Sequence, residues 1–241
     1  MTGATVVFVS DAHFGLPIDD RERDRRARFL RFLESLHGIE RLVVAGDLFQ
    51  FWFDLGSTLP RGYFDILDGL AQLRRSGTRV DYVAGNHDFW RGSFFRDELG
   101  IETHAAGLCL EVQGRRILVQ HGDGAGPGDR GYKLLKRMLR SPVAIGIARV
   151  LHPDVLHAIA RRMDRLSRAQ TSRRTPDLPR LESAARDAFG RGFDALVLGH
   201  VHAQIHQRMP AGELVVIGDW LDLFSFVRLE SGVLEPGRWT D

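Results

Sequence analysis

Thr5-Val6-Val7-Phe8-Val9-Ser10-Asp11-Ala12-His13 is the stretch that decides the fold. Five residues of high strand propensity run straight into a carboxylate and, two positions later, an imidazole. The same order recurs along the chain. Arg41-Leu42-Val43-Val44 precedes Gly46-Asp47, and Val80 to Val83 precedes Gly85-Asn86-His87-Asp88. Ile117 to Val119 precedes His121-Gly122-Asp123, Leu196 to Leu198 precedes Gly199-His200-Val201-His202, and Leu214 to Ile217 precedes Asp219. Between the early runs, Phe29, Leu30, Leu33 and Leu36 fall at helical spacing within Asp24 to His37 and stop at Gly38. Phe64, Leu67, Leu70 and Leu73 repeat that pattern and stop at Gly77. Strands alternating with helices predict an α/β architecture, and the closer spacing of the later runs predicts that part of the sheet is antiparallel. There is no internal repeat and no low-complexity linker.

Ligands of open α/β sheets gather outside the carboxyl ends of the strands. Here those ends carry metal-capable side chains, and the adjoining glycines let the backbone turn sharply. In D-x-H and H-x-H, alternate residues put both side chains on one side of an extended segment, so neighbours can hold one ion. Carboxylate, amide and imidazole donors together suit a borderline divalent metal such as Mn, Fe, Co or Zn rather than Ca. No thiol joins them, which argues against a structural zinc site. Singly, each of these short motifs is commonplace. Their meaning comes from occurring together, in order, each closing an apolar run.

The bulk properties narrow the class. The chain has 241 residues, 44% hydrophobic and 27% charged, the composition of a globular protein. That excludes a collagen-like repeat, a coiled coil and a disordered tail. We expect one domain over 1–241. The single Cys109 cannot form an internal disulfide, and no apolar run approaches a membrane span, so the expectation is a cytoplasmic protein in a reducing compartment. Cys109, inside an apolar run, is expected to be buried; His37, His104, His152, His157 and His206 fit no motif and are expected on the surface. A net charge of +2 conceals an asymmetry. Residues 130–191 hold fifteen basic and five acidic side chains, a balance of +10, against −8 for the remainder. An acidic body with a basic insert points to an anionic partner.

These residues resemble the calcineurin-like, binuclear metallophosphoesterase superfamily, whose pattern is D-x-H, G-D, G-N-H-D/E, H and G-H-x-H. The resemblance spans Asp11 to His202. It implies two stacked mixed β-sheets flanked by helices, with two divalent ions, manganese above all, at the strand ends. By matching position, Asp11, His13 and His202 would bind one metal, and Asn86, His121 and His200 the other, with Asp47 bridging. His87, Asp47 and Asn86 would be the catalytic group, His87 acting on the phosphate or the departing oxygen. Asn86, His87 and His200 would also face the substrate. Asp88 and Asp123 are expected either to orient imidazoles or to cap a nearby turn.

Ser10 to Gly15, Gly46 to Phe53 and Gly218-Asp219-Trp220 further resemble the branch that contains the UDP-2,3-diacylglucosamine pyrophosphatases of lipid A synthesis. That resemblance implies hydrolysis to UMP and 2,3-diacylglucosamine 1-phosphate by water attack on the α-phosphorus. It also implies a helical cap inserted at 130–191, in which Asp129 (just ahead of it), Ser167, Thr171 and Arg174 would contact the uridine–phosphate–sugar end. Lys133, Lys136, Arg137 and Arg140 form one basic helical face, and Arg161, Arg165 and Arg168 a second, as expected of a peripheral contact with the anionic inner face of the cytoplasmic membrane. Phe49, Phe51, Trp52 and Phe53 are expected either to line an acyl-chain channel or to be plain core. One departure stands out: well-known members of the branch carry Arg where His87 stands. The alternative is therefore a soluble metallophosphoesterase acting on another small phosphodiester, a nucleotide or a phosphomonoester. Nucleic acid is not expected as a partner, because the body outside the insert is acidic, and no obligate protein partner is inferred.

Overall fold

The computed structural model describes residues 5–54, 58–88, 92–123, 141–152, 155–156, 158–159, 162 and 176–240. The strands are β1 (Val6–Val9), β2 (Arg41–Val44), β3 (Arg79–Val83), β4 (Glu102–His104), β5 (Leu108–Val112), β6 (Arg115–Gln120), β7 (Ala195–Leu198), β8 (Ile205–Met209), β9 (Gly212–Val216), β10 (Ser225–Glu230) and β11 (Val233–Arg238). The helices are α1 (Asp20–Ser35), α2 (Phe64–Arg75), the short α3 (Phe94–Asp97), α4 (Pro142–Val150) and α5 (Leu178–Gly190). One sheet has the order β11-β10-β1-β2-β3-β4, the other β5-β6-β7-β9-β8. Strands β1 to β4 run parallel, as do β6, β7 and β9, while β10, β11, β5 and β8 attach antiparallel. Both sheets are therefore mixed, as the sequence predicts.

Side-chain alternation explains why the central strands read as unbroken apolar runs. Val6 and Phe8 point into the layer between the sheets, where they meet Ile117, Val119, Val197 and Val215. Val7 and Val9 point the other way, among Phe29, Phe32 and Leu33 of α1 and Leu70 of α2. On the far side of the second sheet, Leu118, Leu196, Leu198 and Val216 receive Leu181, Ala185 and Phe189 of α5. The result is helix, sheet, sheet, helix, with the inner strands covered on both faces.

Three local expectations change. Helix α1 begins at Asp20 rather than Asp24, because the Asp19 side chain caps it by accepting from the Glu22 N–H at 2.8 Å. Its early turns are buried by charge pairing: Arg26 Nε lies 2.8 Å from Glu22 Oε1, and Arg25 also pairs with Glu22. Second, Cys109 is exposed, not buried: on β5 its neighbours Leu108 and Leu110 face inward, so strand alternation turns Cys109 outward. Third, α5 lies within 130–191 yet packs on β7 and β9, so this part of the stretch belongs to the body. The basic positions Lys133, Lys136, Arg137, Arg140, Arg161, Arg165 and Arg168 lie outside the described residues, as does His157.

His104 is half-buried and occupied. Its Nε2 lies 2.8 Å from Oδ1 of Asp81, whose side chain is fully buried, and Arg79 Nε lies 3.2 Å from Oδ2. Burial alone would raise the Asp81 carboxyl, but the His104 hydrogen bond and the charges of Arg41 and Arg79 bring it below the usual carboxylate value. A depressed folded pKa gives stability that is complete above the unfolded value, about 3.9, and is lost as pH falls through the folded one. Asp81→Asn should therefore cost about 1–3 kcal/mol at neutral pH, with the gap to the unaltered chain closing below about pH 4. Denaturant unfolding across pH 2–7 tests this (roughly the carboxylate range); a gap independent of pH would refute it.

Candidate metal centre

The loops that follow β1 and β2 continue side by side beyond the sheet. The Asp11 N–H donates to Gly46 O at 3.1 Å, His13 N–H to Asp47 O at 2.9 Å, and Phe14 N–H to Leu48 O at 2.9 Å. This irregular ladder carries Asp11, His13 and Asp47 to one place. His87 joins through its own N–H, which donates to Asp47 Oδ1 at 2.9 Å. The turn after β7 joins through the His200 N–H, which donates to Asp11 Oδ2 at 2.7 Å. Each carboxylate thus uses one oxygen to fasten a neighbouring loop.

The remaining oxygens and imidazoles face one another. His121 Nε2 lies 3.2 Å from Asp47 Oδ2 and 3.0 Å from Asn86 Oδ1. His13 Nε2 lies 3.6 Å from Asp11 Oδ1 and 3.8 Å from Asp47 Oδ2, and His202 Nε2 lies 3.6 Å from Asp11 Oδ1. Donor atoms within 4.8 Å of one another form the groups Asp11–His13–His202, Asp47–His121–His200 and His13–Asp47–His87. All seven metal-ligand candidates, with His87, are brought together. Asp129, Ser167, Thr171 and Arg174 lie outside the described residues.

Assembling these groups is costly. Eight non-glycine residues among those described have positive φ, and five belong to this centre: Asp11 (56°), His13 (46°), Asp47 (53°), His200 (67°) and His202 (55°). Left-handed backbone at such residues costs roughly 1–3 kcal/mol each and clusters where function demands it. Glycine is required for close approach at Gly46, where an added Cβ would lie 2.5 Å from His121 Nδ1, and at Gly85, where it would collide with Asp47.

The electrostatics follow from burial opposed by pairing. Burial pushes the Asp47 carboxyl up, but the charges of His121 and His87 and the His121 hydrogen bond hold it well below the usual range. Burial likewise pushes His121 down, yet Asp47 holds it well above an ordinary histidine. The His200 ring is lowered to about 4 by burial and by the charge of His121, so it is neutral at pH 7 with a lone pair to give. Asp11 Oδ1 and both ring nitrogens of His13 are buried with no hydrogen-bond partner. Orphaned polar atoms of this kind are rare and need an explanation. A divalent cation supplies one, since mixed carboxylate, amide and imidazole donors fit it.

The supporting contacts differ in part from expectation. Asp88 supports turns: its carboxylate accepts from Leu48 N–H at 2.9 Å and Gly85 N–H at 2.8 Å, and from the Tyr82 hydroxyl, tying the two loops together. His121 and His87 are oriented by backbone carbonyls, their Nδ1 atoms lying 2.9 Å from Ala45 O and 2.8 Å from Gln50 O. Asp123 contributes charge at His121 and His200. Phe49 and Trp52 are fully buried in the core beside α2, whereas half-buried Phe51 stands next to His87 with ring centroids 5.3 Å apart. Asp219, a strand end within the Gly218-Asp219-Trp220 stretch but not among the seven ligand candidates, lies 3.5 Å from His202 Nδ1.

Residues 5–147, which carry Asp11, His13, Asp47, Asn86 and His121, fit the calcineurin-like phosphoesterase superfamily domain, and the chain belongs to that superfamily. It is a metal-dependent phosphoester hydrolase. Among curated relatives, a Pseudomonas aeruginosa protein named UDP-2,3-diacylglucosamine hydrolase is 30% identical over 90% of this chain and 91% of its own. A Porphyromonas gingivalis protein of the same name is 26% identical over 92% of each chain. Among solved structures, an archaeal phosphodiesterase aligns over 97% of this chain and 98% of its own, with a TM-score of 0.48 and 10% identity.

Gly85→Ala tests the tightness of the centre. The new methyl group meets the Asp47 carboxylate and backbone, which cannot retreat without releasing His87. Turnover of a generic phosphodiester should fall by on the order of 10²-fold, the cost of about 1 Å of misplacement. Turnover near that of the unaltered chain would refute the close fit.

Proposed function

We propose that this chain hydrolyses the pyrophosphate of UDP-2,3-diacylglucosamine, giving UMP and 2,3-diacylglucosamine 1-phosphate. The observation that carries the reading is the convergence of Asp11, His13, Asp47, Asn86, His121, His200 and His202 on one spot. The substrate is taken from the relatives' name over nine-tenths of the chain. Asp11, His13 and His202 would hold one cation, Asn86, His121 and His200 the other, and Asp47 both, with manganese the metal. When bound, two such ions activate water and neutralise charge on the phosphoryl oxygens.

The protein's own groups then act on geometry. The water oxygen bonds to the α-phosphorus, the bond from that phosphorus to the bridging oxygen breaks, and the lipid 1-phosphate departs. Gln50 O can only accept, so His87 Nδ1 carries hydrogen and Nε2 is the nitrogen left to interact with the phosphate or to pass a proton to the departing oxygen. Asn86, His87 and His200 face the substrate. Asp129, Ser167, Thr171 and Arg174 are proposed for its uridine–phosphate–sugar end.

A peripheral contact with the cytoplasmic membrane is part of the reading. Helix α4 exposes Val143 (72%), Ile147 (59%) and Val150 (87%) at i, i+4 and i+7, an apolar stripe suited to an interface. No helix among the described residues is long and apolar enough to cross a membrane.

UMP release from UDP-2,3-diacylglucosamine by manganese-loaded protein, with a chelator-treated control, is the decisive assay. Fast, metal-dependent release is expected. Turnover of a small phosphodiester without UMP release would favour the soluble alternative, to which His87 in place of Arg lends weight. Asp47→Ala should abolish either activity, and near-normal turnover in that variant would overturn the metal assignment.

A further inference from the structure

His202 stands apart from its partners in the way it is held. His121 and His87 lean on backbone carbonyls, but His202 Nδ1 faces a carboxylate, Asp219 Oδ2, at 3.5 Å. That carboxylate is itself immobilised. Its other oxygen accepts from the N–H groups of Leu221 at 3.1 Å, Asp222 at 2.9 Å and Leu223 at 3.0 Å. The Asp219 carbonyl accepts from Ser225 N–H at 2.9 Å and from the Ser225 hydroxyl at 3.2 Å. The next residue reaches the same side of the centre, since Trp220 N–H donates to Asp11 O at 3.2 Å. The Trp220 ring is fully buried against Phe29 and Phe32 of α1, so the whole turn is anchored in the core. One rigid segment therefore supports both Asp11 and His202.

We propose that Asp219 is a positioning residue: it fixes the ring orientation and tautomer of His202 and thereby builds the Asp11–His13–His202 half of the centre, leaving the Asn86–His121–His200 half untouched. The inference rests on the metal assignment made under Proposed function. A carboxylate opposite Nδ1 keeps the proton on that nitrogen and leaves the Nε2 lone pair directed toward Asp11. Partners of this kind raise the basicity of the ligand, and their loss typically costs 10–100-fold in metal affinity.

Asp219→Asn separates positioning from support of the turn. The amide oxygen can still accept the three loop N–H groups, but an NH2 group now faces Nδ1 and can accept nothing from it. Full-length holoprotein would be equilibrated against graded free Mn²⁺, bound metal counted, and the electron paramagnetic resonance spectrum recorded. The expected result is that one of two equivalents needs roughly 10–100-fold more free Mn²⁺, while the other binds as before. The spectrum should pass from that of a coupled pair to that of a single ion. Unchanged binding of both equivalents overturns the proposal. Equal weakening of both also overturns it, because that marks general damage to the turn. A wild-type chain that takes up fewer than two equivalents overturns the metal assignment itself, and this inference with it.

Discussion

The arrangement of the centre depends on the buried carboxylate of Asp47. One oxygen accepts the His87 N–H at 2.9 Å and so fixes the turn after β3; the other lies 3.2 Å from His121 Nε2 and fixes the end of β6. The backbone carbonyl of the same residue receives His13 N–H. Loops from both sheets are therefore referred to one side chain with almost no exposure. A lone carboxylate so buried would be expensive. Pairing with Asp47 holds His121 well above its ordinary pKa, so its charge compensates the carboxylate, and a cation held there would supply that compensation in its place.

The two-sided burial of the central strands is what makes the fold legible in the sequence. Val6 to Val9 show no alternation because each face has its own apolar partner, and the same holds for Leu42 to Val44 and Leu196 to Leu198. Strands with one covered face leave a weaker trace. β8 reads Ile-His-Gln-Arg-Met with alternate exposure, and β4 is only Glu-Thr-His, so neither stands out from its surroundings. Charge misled in the opposite direction. Arg25 and Arg26 look like solvent-facing positions, yet Glu22, the ring of Phe14 and backbone carbonyls of the metal loop bury them.

The candidate ligands were legible because their chemistry is tied to position at strand ends, a pattern that survives without knowing the sheet order. Their supports were not. Asp88 follows a ligand and suits an imidazole's partner or a turn's cap equally well from sequence; only the structure shows its carboxylate accepting from Leu48 N–H and Gly85 N–H. Orientation of His121 and His87 falls to the carbonyls of Ala45 and Gln50, and no side chain records a backbone acceptor. Asp219 closes an apolar run like the others, so its signal was present. Only the geometry places its carboxylate opposite His202 Nδ1, at 3.5 Å.

The five left-handed non-glycine residues give a reason why the centre sits on so large a core. Strain of roughly 1–3 kcal/mol at each is of the same order in total as the whole stability of an ordinary domain. Relief through local side-chain adjustment is not open, because the side chains are committed to the centre. It is offset instead by the layers beneath: Val9 and Val44 end their strands in the same cluster as Phe14, Phe49 and Trp220, so the residues next to the strained turns are among the most deeply packed in the molecule. Where packing fixes both ends of a turn, the backbone between them has few conformations left. The ligand geometry is then set by the core rather than by the metal alone, which is the condition for a site that binds its ions with little rearrangement.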